Sequence, residues 1–166
     1  MRKADFWIDR LQLAIHPEGG YYRETYRSAG SYSFTGATPF NGARSYATAI
    51  YYLLKGNECS KLHRIHSDEL WFFHAGNPLT IHILPRKGDP SAFTLGLSAE
   101  KGHLLQETVP AECWFGAAIE NPEKESYSLV SCVVAPGFEF RDFAFADRKM
   151  LLKKFPLHAE IIGRLT

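Results

Sequence analysis

The sequence predicts an all-β domain, a closed or double-sheet jelly roll with a short helix before it and helices behind. Three observations carry this expectation. From Gly19 onward, β-branched and aromatic runs are punctuated by Gly, Pro, Asn and Asp, the texture of strands and turns. Several runs alternate: in Leu79-Thr80-Ile81-His82-Ile83 the aliphatics share one face and Thr80 and His82 the other, as a sheet with one buried side requires. Aromatic residues make up 14% of the chain, and so many aromatic strands with open edges would aggregate, a hazard that closure into a barrel or double sheet removes.

In order along the chain, Phe6, Trp7, Leu11 and Ala14 follow a helical rhythm and predict a short amphipathic helix over Ala4 to Leu13, a lid or flank that ends before His16-Pro17. About nine strands are expected: Tyr21 to Arg27, Tyr46 to Leu54, Ser60 to Ile65, Glu69 to His74, Leu79 to Leu84, Ala92 to Leu97, Leu105 to Val109, Cys113 to Ile119 and Tyr127 to Val134. Ala29 to Arg44, rich in Gly, Ser, Thr, Asn and Pro, is expected to be a loop with a short strand near Tyr32-Ser33-Phe34. Phe138 to Phe145 alternates aromatic and charged residues. Helices then follow over Asp147 to Lys154 and Leu157 to Leu165, divided at Pro156.

Composition narrows the function classes. The 166 residues suit one domain over the whole chain, and at this size roughly 70% of the unfolded surface is buried without disulfides or structural zinc. A net charge of +1 with dispersed basic residues gives nucleic-acid binding little support. Acids interrupt the N-terminus and no eighteen apolar residues run together, so neither an export signal nor a membrane span is expected. Three cysteines without a Cys-x-x-Cys pair suggest reduced thiols and a cytoplasmic location.

The densest chemistry lies between Leu62 and Gly76, where three histidines, two acids and an arginine fall within fifteen residues. A turn at His66 to Asp68 would bring His63 and Glu69 within reach of a common point, with Glu69, Trp71 and Phe73 on one face and Leu70, Phe72 and His74 on the other. His74 and His82 are expected at the surface or an interface. In the strand after Gly20, Tyr22, Glu24 and Tyr26 should share one face and Tyr21, Arg23 and Arg27 the other, either of which would make a phenol-and-guanidinium wall. Glu18-Gly19-Gly20 reads as a tight turn in which the glycines permit positive φ. Trp71 and Trp114 are candidates for a cavity floor and Gln106 for a hydrogen-bonding group beside it.

Gly56, His63, Glu69 and Gly76, in that spacing, resemble the first motif of the cupin superfamily, and Gly102 with Val109-Pro110-Ala111-Glu112-Cys113-Trp114-Phe115 resembles the second. His16-Pro17-Glu18-Gly19-Gly20, His63-Arg64, Asp68-Glu69-Leu70-Trp71, Gln106 with Val109-Pro110, Trp114-Phe115-Gly116 and Ala135-Pro136-Gly137-Phe138 together resemble one family of single-domain cupins grouped with the sugar-epimerase-like jelly rolls. The resemblance spans about residues 5 to 165. It implies a double-stranded β-helix whose cavity binds a small molecule. It also implies a metal set of two histidines and a glutamate from the first motif and a histidine from the second. Here the middle histidine is displaced to His66 and the last position is Phe115.

The leading expectation is therefore a metal-independent epimerase or isomerase of a carbohydrate-like or other carbonyl substrate, with no cofactor. His63 is the base, Glu69 (or Asp68) orients its ring, and Tyr22, Arg23, Tyr51, Trp71, Gln106 and Trp114 are the ligand contacts. One alternative is a metal-dependent enzyme holding a divalent transition metal on His63, His66 and Glu69. Another is a barrel that binds a ligand without turnover. Exposed strand aromatics and an N-terminal arm able to cross to a second chain suggest a homodimer; no nucleic-acid or membrane partner is expected.

Overall fold

The computed structural model describes residues 3–166. Its elements are α1 (Ala4–Leu11), β1 (Ala14–Ile15), β2 (Tyr21–Arg27), β3 (Ser31–Phe34), β4 (Gly42–Ser45), β5 (Thr48–Lys55), β6 (Cys59–Arg64), β7 (Asp68–Gly76), β8 (Leu79–Leu84), β9 (Ser91–Leu95), β10 (Gln106–Val109), β11 (Trp114–Ile119), β12 (Tyr127–Ala135), β13 (Ala144–Phe145), α2 (Arg148–Lys154) and α3 (Ala159–Arg164). All nine expected strands are present within a few residues of their anticipated ends. The expected helices are each shorter by a turn or less, and Asp147 caps α2 by accepting from the Met150 N–H at 2.7 Å.

Two antiparallel sheets face each other as a jelly roll. One runs β1-β2-β5-β12-β7-β10 and the other β13-β6-β11-β8-β9; β3 and β4 form a separate hairpin. The pleat sorts the side chains. Tyr52 and Leu54 of β5, Trp71 and Phe73 of β7 and Val130 of β12 point inward to meet Ile81 and Ile83 of β8 and Phe115 and Ala117 of β11. The outer face of the six-stranded sheet, with Leu53 and Leu129, is covered by α1, so that helix is a flank and not a lid. It packs on its own chain, where Asp5 meets Lys55 at 2.8 Å and β1 pairs with β2. On the other side α2 and α3 cover Leu62, Leu84 and Ala118.

The connection from β6 to β7 crosses from one sheet to the other, so His63 and Glu69 approach a common space from opposite walls and not as neighbours in a hairpin. After β12, residues 136–146 fold back as a strap: Asp142 is clamped by Arg44 of β4 through both carboxylate oxygens, and β13 adds to β6 beside His63. Arg44 is fully buried and Asp142 nearly so. Arg44→Ala should therefore strand a buried carboxylate and cost about 3–5 kcal/mol in denaturant unfolding, whereas Arg44→Met with Asp142→Leu should cost much less. Equal losses in the two variants would show that the ion pair does not anchor the strap.

Candidate functional site

The register of the six-stranded sheet builds one wall of a cavity of about 150 Å³. Tyr22 lies opposite Tyr52, Glu24 opposite Ile50, and Arg27 opposite Thr48; across β12, Cys132 pairs with Trp71 and Val134 with Glu69. A bulge in β2 between Glu24 and Tyr26 adds one residue and reverses the alternation. Arg27 thereby joins Tyr22 and Glu24 on the cavity face, and Tyr26 turns outward and is exposed, contrary to the strict alternation expected from sequence. His63 and Ile65 line the opposite wall.

The loop from His16 to Gly20 supplies the partner of His63. Gly19 and Gly20 adopt φ of 113° and 70°, and a Cβ at Gly19 would collide with the Cys59 carbonyl. The loop is tied down by the Tyr52 hydroxyl, which donates to the Gly19 carbonyl at 2.7 Å, and by the Lys61 N–H, which donates to the Glu18 carbonyl at 2.9 Å. The Glu18 side chain then points into the sandwich, where its Oε1 accepts from Ser60 Oγ at 2.8 Å and its Oε2 lies 3.3 Å from His63 Nε2. His16 Nδ1, 3.6 Å from the same Oε2, accepts the Glu18 backbone N–H. Burial pushes the His16 imidazole below its usual range, His63 adds to this and Glu18 opposes it.

The tautomer of His63 follows from its other nitrogen. Nδ1 lies 2.7 Å from the Lys61 carbonyl, which only accepts, so Nδ1 carries the hydrogen and Nε2 is the basic nitrogen beside Glu18. The ring is held between Phe143, stacked at 5.0 Å, and Phe115 at 4.1 Å, and is almost fully buried. A proton arriving at Nε2 would create an imidazolium already facing a carboxylate.

Glu69 occupies a different environment. It is 7% exposed, and burial, reinforced by the negative charge of Glu18, pushes its carboxyl up to about 8, with Cys132 and Trp71 acting the other way. It therefore holds its proton at neutral pH. The Trp71 indole N–H, fully buried, has no aligned acceptor. The cavity thus contains one carboxyl group set beside an imidazole and a second kept neutral. Two titratable groups whose surroundings differ in this way are suited to opposite acid and base roles.

Arg27 closes the mouth. Its Nε and Nη2 donate to both oxygens of Glu24 at 3.0 and 2.8 Å, its Nη1 to Glu139 at 2.9 Å and to Ser45 at 3.5 Å, and its Nη2 also to the Phe138 carbonyl at 3.1 Å. The Phe138 N–H in turn donates to Thr48 at 3.0 Å. The strap is thereby fastened to β2 and β5.

Of the residues anticipated from sequence, His63, Glu69, Tyr22 and Trp71 line the cavity. Four others do not. Arg23 lies on the outer face, donating to Gln12 at 3.3 Å, and Tyr51 packs among the residues under α1, because the cavity face of each strand carries the alternate positions. Gln106 is exposed on the edge strand β10. Trp114 packs against the C-terminal helices beneath Arg64. The expected His63–Glu69 pair is replaced by His63–Glu18. His66 is held by Glu112 at 2.5 Å on the rim, beyond the strand that carries His63. His74 donates to or accepts from Ser131 on the outer face, and His82 faces Glu120, both outside the cavity as expected.

The set His63, His66 and Glu69 is therefore not assembled. Among the described residues no three His, Cys, Asp or Glu side chains converge in a metal-holding group, and the second-motif position is the Phe115 ring packed on His63. His63, His66 and Glu69, held apart by Glu112 and Glu18, do not make a set that fits a divalent transition metal. Among the described residues, no helix is long and apolar enough to cross a membrane.

Residues 5–146 match the family described as Cupin superfamily (DUF985). An uncharacterized protein of Saccharomyces cerevisiae is 31% identical over 156 residues, which are 88% of this chain and 76% of that protein. Among solved structures, a hypothetical protein from Leishmania major superposes with a TM-score of 0.89 at 37% identity over 99% of both chains. A Shewanella oneidensis protein superposes with a TM-score of 0.87 at 38% identity, over 100% of this chain and 98% of that one.

Proposed function

The chain belongs to the cupin superfamily, and from that premise we propose that its cavity binds a small carbonyl compound and moves a proton at the carbon beside the carbonyl, as an isomerase or epimerase does. The observation that carries this reading is the pairing of unlike carboxyl groups in one buried space: Glu18 beside His63 on one side, neutral Glu69 on the other.

In the proposed step His63 Nε2 takes the proton from carbon, and the C–H electron pair becomes the carbon–carbon double bond of an enediol. The carbonyl π pair moves onto oxygen and takes the Glu69 proton. The imidazolium formed is stabilised by Glu18 at 3.3 Å, and its Nδ1–H stays bonded to the Lys61 carbonyl. For isomerisation the imidazolium gives its proton to the neighbouring carbon while the Glu69 carboxylate takes the proton of the other enediol hydroxyl as the new carbonyl forms, so both groups are restored. For epimerisation a hydroxyl on the facing wall, Tyr22 being a cavity-lining phenol, protonates the opposite face of the same carbon, Glu69 takes back its proton from the enediol oxygen, and the proton left on His63 returns to the phenolate through solvent.

The test is deuterium uptake. Hexoses and pentoses, with their uronic acid and phosphate forms, are incubated with the protein in D2O and followed by NMR. Deuterium should enter at the carbon next to the carbonyl of at least one compound, and His63→Ala should abolish it. A compound that raises the Tm yet returns without deuterium would overturn the catalytic reading in favour of a binding barrel.

A further inference from the structure

The cavity wall also restricts the charge of its occupant. Among the described residues Arg27 is the one arginine or lysine that lines it, and each of its five N–H groups already has an acceptor: two on Glu24, and one each on Glu139, Ser45 and the Phe138 carbonyl. An incoming phosphate or carboxylate finds no free guanidinium donor at the mouth. It would meet Glu24 and Glu139 at the half-exposed mouth and the buried Glu18 within, where water screens the repulsion least.

The hydrogen-bonding groups lean the same way. Glu18, Glu24 and Glu139 only accept when ionised. The Tyr52 hydroxyl is spent on the Gly19 carbonyl and the Ser60 hydroxyl on Glu18. A complementary ligand therefore offers O–H donors to these carboxylate oxygens and an uncharged oxygen acceptor to the unpaired Trp71 N–H and the Glu69 O–H, and its C–H faces can lie against Tyr22 and Phe140. An ammonium group seated beside Glu69 would favour the ionised carboxylate, which has released to solvent the proton it must donate in the reaction.

We propose that the site takes an uncharged, hydroxyl-rich carbonyl compound and rejects its phosphorylated and carboxylated forms, with the Glu24–Arg27–Glu139 clasp as the determinant of that selectivity. The inference rests on the proton-transfer reading and names its substrate class.

Calorimetric titration with matched trios tests it: glucose, glucuronate and glucosamine, then galactose, galacturonate and galactosamine, with glucose 6-phosphate as a further anion. The uncharged member of at least one trio should bind, with its uronate at least tenfold weaker. Glu24→Gln with Glu139→Gln, which removes both counter-charges from the guanidinium, should raise affinity for the uronate at least tenfold relative to that for the neutral sugar. Glu139→Gln alone, a milder change to an exposed position, should give the same trend at smaller size.

Wild-type binding of an anion as tight as that of its neutral counterpart would overturn the proposal. So would preference for the amino sugar, or the lack of binding by every neutral sugar. No relative gain of uronate affinity in the folded double variant would remove the clasp as determinant. Failure here is separable from failure of the catalytic reading: a neutral sugar that binds without taking up deuterium leaves the ligand class standing, whereas deuterium uptake confined to the uronates leaves proton transfer standing and defeats the selectivity.

Discussion

Glu18→Gln is expected to slow exchange of the carbon-bound proton by roughly 10²- to 10⁴-fold, the usual worth of a positioned acid–base group, while the protein remains folded. Glutamine preserves the volume and can still accept the Ser60 hydroxyl at Oε1. It removes the negative charge that would face His63 Nε2 at 3.3 Å. The imidazolium formed when His63 takes a proton then has no counter-charge in a buried site. Glu18→Asp should restore part of the rate, because charge returns though reach is shortened. Unchanged exchange in Glu18→Gln, measured in D2O on the same sugar as the parent, would defeat the pairing as a catalytic unit. A loss that Glu18→Asp failed to recover at all would point to loop collapse in place of chemistry.

The second large effect concerns stability and comes from Glu69→Gln. A glutamate in the unfolded chain titrates near 4.3, whereas burial and the charge of Glu18 push Glu69 to about 8 in the folded one. Below the unfolded value the group is protonated in both states and contributes no difference. As the pH rises between these values the unfolded chain ionises freely while the folded chain keeps its proton. Stability is therefore lost progressively across that window, reaching on the order of 4–5 kcal/mol above pH 8. The titratable groups around it are Glu18 and His63 across the cavity, and Cys132 on the adjoining strand, whose own thiol burial pushes up. Glu69→Gln mimics the neutral acid, so urea unfolding should show a gain of that order at pH 9 and almost none at pH 4. The same variant cannot donate a proton, so exchange should fall as stability rises. Equal stability of the parent and variant at pH 9 would mean that the carboxyl reaches water.

The architecture was legible because hydrophobic period and turn residues are local signals. Leu79 to Leu84 and Tyr21 to Arg27 could be bounded to the residue. The two-residue β1 and β13 carry too few residues to show a period, and each is held by its neighbour's ladder, β13 by β6 beside His63. In the site, His63 and Glu69 stood out by type and spacing. Glu18 did not, because its pairing with His63 spans the fold and depends on Gly19 passing under the Cys59 carbonyl. The signals were the pair of glycines after Glu18 and the place of His16-Pro17-Glu18-Gly19-Gly20 in the family resemblance, which pointed to a turn but not to where the side chain went. Arg27 was hidden for another reason: strict alternation set it on the face opposite Tyr22 and Glu24, and the β2 bulge, which no residue in Glu24 to Tyr26 announces, brought it onto theirs. Tyr51, Trp114 and Arg23 were misplaced because an aromatic or basic residue suits either face of a covered sheet.

The crossing between β6 and β7 assigns the two halves of the proposed proton-transfer pair to different sheets, His63 to one and Glu69 to the other. Facing sheets lie about 10 Å apart and touch only through side chains, with no ladder of hydrogen bonds between them. An occupant gripped at both ends is therefore a tie-beam across the sandwich, and donor–acceptor reach varies directly with sheet separation. Fluctuations that part the sheets would uncouple base from acid without disturbing either one, which makes the packing of Phe115, Trp71 and Tyr52 a mechanical setting for the chemistry as well as a core.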